Sequence, residues 1–193
     1  AALRGAFEAG QRIFGESRVQ EVLAKQPELP GGAGGARWHF IGHLQKNKVR
    51  RVLAGIELFH GLDSLDLAES MDRIAEEEGL FPRVLLEVNV AGEDSKNGFS
   101  PEGLRRDLDA VLGLKRLQVE GLMTLAPYAE EAEASRPFFR RLRELRDALA
   151  AETGLPFSTL SMGMSGDYEV AIEEGATMVR VGTAIFGERK AAE

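Results

Sequence analysis

The sequence predicts an α/β protein, a (β/α)8 TIM barrel lacking its first strand. Three observations carry that expectation: strand and helix signals alternate from end to end, seven strands can be counted in 193 residues, and the last two strands each run out into small or hydroxyl residues. The third is the most specific. Residues 159–187 (TLSMGMSGDYEVAIEEGATMVRVGTAIFG) read as strand, turn, helix, strand, with Met164-Ser165-Gly166 closing one strand and Arg180 followed by Gly182-Thr183 closing the next. In a (β/α)8 barrel the loops after the seventh and eighth strands form the usual phosphate cradle, because backbone N–H groups and a helix N-terminus converge there.

The chain opens inside a helix: Leu3, Ala6 and Phe7 share a face, and Gly10 stands where a helix-ending glycine belongs. Residues 12–16 (RIFGE) follow as a strand and 19–25 as a helix. Residues 37–42 (RWHFIG) form a strand in which Trp38 and Phe40 face one way, His39 and Ile41 the other. The glycine-rich 30–35 (PGGAGG) follows a helix and lacks the Lys-Ser/Thr of a phosphate-binding loop, so it reads as a flexible connector. Residues 46–54 read as a basic helix, 56–62 as a strand, and 67–78 as a helix with Leu67, Met71 and Ile74 on one face. The clearest strand is 83–91 (RVLLEVNVA). Ser100 then caps a helix with Pro101 at its first position and Leu104, Leu108 and Val111 turned inward. A strand at 118–125, a long helix around Phe138, Leu142, Leu145 and Leu149, and the two strands of the cradle segment complete the count. No strand signal precedes the first helix. Seven parallel strands would leave an unpaired edge on each side of a gap, an aggregation hazard. A strand is therefore expected upstream of residue 1, and residues 1–193 are read as one N-terminally incomplete domain. The alternative, a doubly wound open sheet, would want a glycine-rich turn after its first strand, which this chain lacks.

The net charge of −7, with basic residues scattered among acids, offers no basic stripe to a phosphate backbone, so no nucleic-acid partner is expected. Cysteine is absent, which is compatible with a reducing cytosol and leaves no thiolate metal site. No segment approaches the roughly 18 apolar residues of a membrane span, and no basic-then-apolar leader opens the chain. The expectation is a cytoplasmic protein without a membrane partner.

Ser165 and Asp167 by themselves could cap a helix, and Gly182 could merely turn the chain. Two such turns at the C-terminal ends of adjacent strands point instead to an anion site. Arg180 reads either as a salt-bridged wall residue or as a permanent donor to a ring acceptor of a phosphorylated heterocycle. His39 and His43 stand about 13 Å apart along a strand and cannot share one ion. Lys46, Lys48, Arg50 and Arg51 either draw an anion toward the site or solvate their helix. Lys96 reads as a solvated loop lysine. Glu87 and Asn89 place two polar groups in the barrel or at its mouth, where they need partners.

Several segments together resemble a known family. WHFIGHLQKNK (38–48), SKNGF (95–99), GLMTLAP (121–127), LSMGMSGDYEVAI (160–172) and MVRVGTAIFG (178–187) resemble the pyridoxal phosphate homeostasis proteins, single-domain barrels similar to the N-terminal domain of bacterial alanine racemase. The resemblance spans essentially the whole chain. It implies pyridoxal 5′-phosphate at the barrel mouth, with Ser165, Gly182 and Thr183 holding the phosphate, Met164 and Gly166 shaping its turn, Arg180 facing the pyridine nitrogen, and His39 also in the cofactor-binding set. It implies neither a catalytic residue nor a metal site. A protonated arginine would leave the ring nitrogen largely unprotonated and weaken the cofactor as an electron sink. The resemblance further implies a Schiff-base lysine in a segment like VSKTKP at the end of the first strand, and hence upstream of residue 1. The stretch usually read FGENYVQE stands here as FGESRVQE (14–21), with Ser17 and Arg18 in place of Asn and an aromatic.

The implied function is a pyridoxal phosphate binding and carrier protein in vitamin B6 and amino-acid homeostasis, without established catalysis. Its expected partners are the cofactor and recipient pyridoxal-phosphate-dependent apoenzymes, and its expected state is a monomer or weak dimer. The alternative is a racemase-like enzyme using the same cofactor. Racemases of the alanine type draw a second acid/base from a separate β domain and a partner subunit, and no such domain is read in these residues. A metal-dependent or sugar-phosphate barrel would want a carboxylate and histidine cluster with ligand geometry, which the spacing does not supply.

Overall fold

The computed structural model describes residues 2–93 and 96–188. Seven strands form one parallel sheet in chain order: β1 (Ile13–Glu16), β2 (Arg37–Phe40), β3 (Leu58–Leu62), β4 (Arg83–Glu87), β5 (Gln118–Met123), β6 (Thr159–Met164) and β7 (Met178–Arg180). Helix α1 (Ala2–Glu8) precedes them, and α2 (Val19–Lys25), α3 (Val49–Val52), α4 (Leu65–Glu78), α5 (Pro101–Leu112), α6 (Arg136–Thr153), α7 (Tyr168–Glu173) and α8 (Thr183–Phe186) follow one strand each. A parallel sheet wound in sequence order with one helix per crossover is the wall of a (β/α) barrel. Among the described residues, β1 pairs with β2 and β7 with β6, and the two outer strands are not paired with each other.

Strand alternation sorts the side chains into two layers. Trp38, Phe40, Phe59, Val84, Leu86, Leu122, Leu160 and Met162 join the main core with the inner faces of the helices. Those faces are Leu67, Met71 and Ile74 on α4, Leu104, Leu108 and Val111 on α5, and Phe139, Leu142, Leu145 and Leu149 on α6. Leu58, Leu85 and Met123 form a second, smaller cluster inside the barrel, with Met178 packed against it. Below them, at the N-terminal strand ends, Arg37 pairs with Glu57, and Arg83 bridges Glu57 and Glu120, closing the floor with charge. The lumen above the apolar cluster is polar.

The element boundaries differ from the sequence reading in instructive places. The strand expected at 83–91 stops at Glu87; Val88 makes one bridge to Phe99, and the Asn89 side chain accepts from the N–H groups of Gly92 and Glu93, turning the chain out of the sheet. The basic helix expected over 46–54 breaks into a 3-10 turn, the single turn α3 and another 3-10 turn, because it has no side-chain N-cap and Gly55 ends it. Phe139, not Phe138, enters the core of α6, since the buried stripe runs 139, 142, 145, 149. Residues 30–35 close as a hydrogen-bonded turn, with the N–H of Ala36 donating to Pro30 O at 2.7 Å and that of Gly35 to Gly32 O at 2.9 Å. The Ser100 cap stands as read, its hydroxyl accepting from Gly103 N at 2.9 Å.

Candidate functional site

The C-terminal ends of β6 and β7 lie side by side, and their turns are joined by one hydroxyl. Ser165 Oγ accepts from the backbone N–H of Gly182 at 3.1 Å and of Ala184 at 3.3 Å. Two main-chain donors aimed at a single oxygen are the recognition pattern of an anionic oxygen, which the serine hydroxyl represents here. Local geometry holds the turn in place. Met164 N donates to Asp167 Oδ1 at 2.7 Å while Asp167 N donates to Met164 O at 3.0 Å. One residue earlier, Gly163 has φ +91°, and a Cβ there would stand 2.5 Å from the Ala171 Cβ; glycine is what allows α7 to lie against β6. A Cβ at Gly166 or Gly182 would meet no atom within 4 Å, so both turns face open space. Thr183 begins α8 and is exposed, as are Ser165's neighbour Met164 and the turn itself apart from the half-buried Ser165.

Arg180 lies below this rim, half-buried. Its Nη1 donates to Ser161 Oγ at 2.6 Å and its Nη2 to Thr124 O at 2.9 Å, so the guanidinium is tied to β6 and to the end of β5. Burial lowers its pKa to about 10, opposed by the charges of Glu87 and Asp167, and the group stays cationic at neutral pH. The site is thus a rim of hydroxyl and backbone N–H donors over a fixed donor-only cation. These residues fit a phosphorylated heterocycle: the rim suits an oxyanion, and the arginine suits a ring acceptor.

Across the mouth a cleft of about 190 Å³ is lined by Ile41, His43, Glu87, Asn89, Lys96 and Leu125, among others. Glu87 is 6% exposed, and its carboxylate has no hydrogen-bond partner among the described residues. Burial pushes its pKa up to about 7, the charge of Asp63 adds to that, and Arg180 and His43 oppose it. His43 Nδ1 shares a hydrogen bond of 2.6 Å with Asp63 Oδ2. Lys96 lies 3.3 Å from Glu93 Oε1. Lys46 pairs with Asp66 at 2.5 Å and Arg50 with Glu77 and Glu78, so these two cations of the basic segment are held by α4 and not turned to the mouth.

The structure therefore brings Met164, Ser165, Gly166, Gly182 and Thr183 together at one rim, with Arg180 beneath. His39 is elsewhere: it is 3% exposed inside the lumen, and reaches Arg180 only through His60 and Ser161. His60, Ser161, Thr124 and Glu87 are the site-lining groups that sequence reasoning missed or left without a role. Alternation along the strands carried a signal for Ser161, a polar residue between Leu160 and Met162, and for His60, between Phe59 and Gly61, each in a strand buried on both faces at that point. Among the described residues no group of three or more His, Asp or Glu could hold a metal ion, and no helix is long and apolar enough to cross a membrane.

A family profile described as alanine racemase, N-terminal domain, matches residues 1–190. The pyridoxal phosphate homeostasis protein of Aquifex aeolicus (strain VF5) is 47% identical over 188 residues, covering 97% of this chain and 82% of its own. Among solved structures, PipY of Synechococcus elongatus PCC7942 with PLP bound is 40% identical with a TM-score of 0.87, covering 96% of this chain and 86% of PipY. An alanine racemase of Clostridium difficile 630 superposes with a TM-score of 0.76 at 17% identity, over 98% of this chain and 47% of the racemase, a likeness of fold.

Proposed function

We propose that this chain, which belongs to the family of pyridoxal phosphate homeostasis proteins and carries the alanine racemase N-terminal domain fold, binds pyridoxal 5′-phosphate at the β6–β7 rim. The observation that carries the assignment is the convergence of the Gly182 and Ala184 N–H groups on Ser165 Oγ, directly above an Arg180 whose inner side is already committed to Ser161 and Thr124. Ser165, Thr183 and the Gly182 backbone would hold the phosphate, Met164 and Gly166 would shape its turn, and Arg180 would face the ring. When bound, the cofactor supplies a reactive aldehyde and a conjugated ring that can take up electron density. The rim and Arg180 would hold the phosphate and the ring through non-covalent contacts.

The role that follows is storage and delivery of the cofactor, with recipient apoenzymes as partners, a single barrel domain as the working unit and no catalysis of its own. Arg180 supports that reading. A cationic donor against the ring acceptor keeps a proton off it and removes most of the ring's capacity to stabilise a carbanion. Relatives of this chain are named as homeostasis proteins and not as enzymes.

The test is calorimetric titration of the protein with pyridoxal 5′-phosphate, with unphosphorylated pyridoxal, and with the phosphate ester in excess inorganic phosphate. Saturable binding of the ester that inorganic phosphate weakens, with much weaker binding of pyridoxal, is expected. Equal affinity for both vitamers would place the site away from the rim.

A further inference from the structure

The polar residues of the lumen are joined in a line. Arg180 Nη1 donates to Ser161 Oγ at 2.6 Å, Ser161 Oγ lies 2.9 Å from His60 Nδ1, and His60 Nε2 lies 3.0 Å from His39 Nδ1. The line crosses from β7 to β6, then over the barrel interior to β3 and β2. Ser161 is 0% exposed, His60 1% and His39 3%, so bulk water does not compete for these groups. His39 Nε2 has no hydrogen-bond partner among the described residues.

Proton bookkeeping gives the line a direction. Arginine only donates, so Ser161 must accept from it. If Ser161 passes its own proton to His60 Nδ1, His60 carries its proton on Nε2 and gives it to His39 Nδ1. One polar atom then goes unmatched, the N–H at His39 Nε2. In the reverse order both imidazoles donate toward the serine, and the Ser161 proton as well as the His39 Nε2 lone pair go unmatched. Each unmatched buried polar group destabilises the fold, so the order with one such atom is favoured over the order with two. Both orders require neutral imidazoles, in keeping with burial, which holds the pKa of both well below the ordinary histidine range.

We propose that Ser161 and His60 are positioning residues for Arg180: with His39 they form a buried, one-directional hydrogen-bond chain that fixes the orientation of its guanidinium beneath the barrel mouth. Thr124 O supplies the second tether. Two anchored Nη atoms define the plane of the group, and its remaining N–H donors keep one heading. The consequence for a bound cofactor rests on the function proposed above; the consequence for the arginine itself does not.

The experiment is therefore done in two states. In the cofactor-free protein, 15N NMR of the three histidines and of the arginine guanidinium groups is recorded at pH 7 for the wild type, Ser161→Ala and Ser161→Thr. Two neutral imidazoles protonated at Nε2 and separate, slowly exchanging Nη resonances for Arg180 are expected in the wild type. Ser161→Ala should shift the His60 signals and average the Arg180 Nη resonances, and Ser161→Thr, which keeps the hydroxyl, should restore both. An Nδ1-protonated His60, or Arg180 Nη resonances indifferent to Ser161→Ala, would overturn the proposal. His60→Leu breaks the same link from the other side and decides the question if Ser161→Ala does not fold. With pyridoxal 5′-phosphate labelled at the ring nitrogen, Ser161→Ala should shift the 15N signal of the bound ring while competition by inorganic phosphate is unchanged. An unmoved ring signal in a variant whose Arg180 resonances have averaged would sever the chain from the cofactor, whereas failure of the wild type to bind the cofactor would count against the function and leave the arginine result to stand or fall alone.

Discussion

Two residues at the rim make the phosphate assignment quantitative. Ser165→Ala and Thr183→Val each remove a hydroxyl while leaving the backbone donors in place, so each should weaken pyridoxal 5′-phosphate binding by about 1–2 kcal/mol, the scale of one hydrogen bond to a charged group. Pyridoxal affinity should be unchanged in both, as measured by parallel titrations. The lumen residues make a second prediction, about pH. Burial lowers the pKa of His39 from 6.5 to about 4 and that of His60 well below 6.5. The unfolded chain takes up protons near pH 6.5 that the native protein refuses, so this stability is full above pH 6.5 and is lost as pH falls toward 4. Glu87 acts in the opposite sense: with its pKa raised from 4.5 to about 7, its contribution is full below pH 4.5 and is lost as pH rises through 7. Two imidazoles against one carboxyl leave a net loss of stability on acidification from pH 6.5 to 4.5. Urea unfolding midpoints at pH 7 and pH 5 should show it in the cofactor-free protein, and His39→Gln should flatten the difference. An identical drop in that variant would mean that His39 is not held neutral. None of these shifts could be read from the chain, where His39 was legible only as lying on the strand face opposite Trp38 and Phe40, and its pairing with His60, 21 positions on, was not.

At the scale of elements, capping chemistry was legible because it is local. Ser100 and Pro101 mark the start of α5, and replacing Ser100 by alanine should cost about 1 kcal/mol in a chemical denaturation experiment, the usual loss for a serine cap. Gly163 is the contrasting case. In sequence it is one more small residue in LSMGMSG, yet in the fold it combines a positive φ with a neighbour so close that any side chain collides with α7. Gly163→Ala should destabilise the protein by more than about 1 kcal/mol through backbone strain alone, and should lower phosphate-ester affinity because β6 carries the rim at its end. A variant as stable as the wild type would show that α7 can move away without cost. Helix α7 is also anchored from outside, with Arg136, Arg140 and Arg143 of α6 converging on the buried Glu174 just beyond its last residue. Boundaries such as the end of β4 or the breaks around α3 escaped the sequence reading because they are set by neighbours: Asn89 folds its own loop, and Lys46 and Arg50 answer to acids on α4.

For the molecule as a whole, the question is whether the barrel carries its cofactor or uses it. If Arg180 keeps the ring acceptor from gaining a proton, L-alanine incubated in deuterium oxide with the protein and cofactor should exchange its Cα hydrogen far below an enzyme-like rate of about 1 per second. Arg180→Glu should retain some cofactor, alter its absorbance and raise slow side reactions such as transamination; it would also remove the charge that holds the pKa of Glu87 down. Exchange at an enzyme-like rate in the wild type would favour the racemase alternative. Alternating periodicity, helix caps and the small-residue strand ends made the seven-stranded barrel wall and the rim at the ends of its last two strands readable from the chain, because each is a pattern within some thirty residues. The floor of ion pairs, the commitment of Arg180 to Ser161 and Thr124, and the line of four polar groups across the lumen belong to the assembled sheet. They join β2 through β7 at separations of 19 to 101 residues, and only the winding of the wall around a water-poor interior brings such groups to hydrogen-bond distance and makes their pairing obligatory.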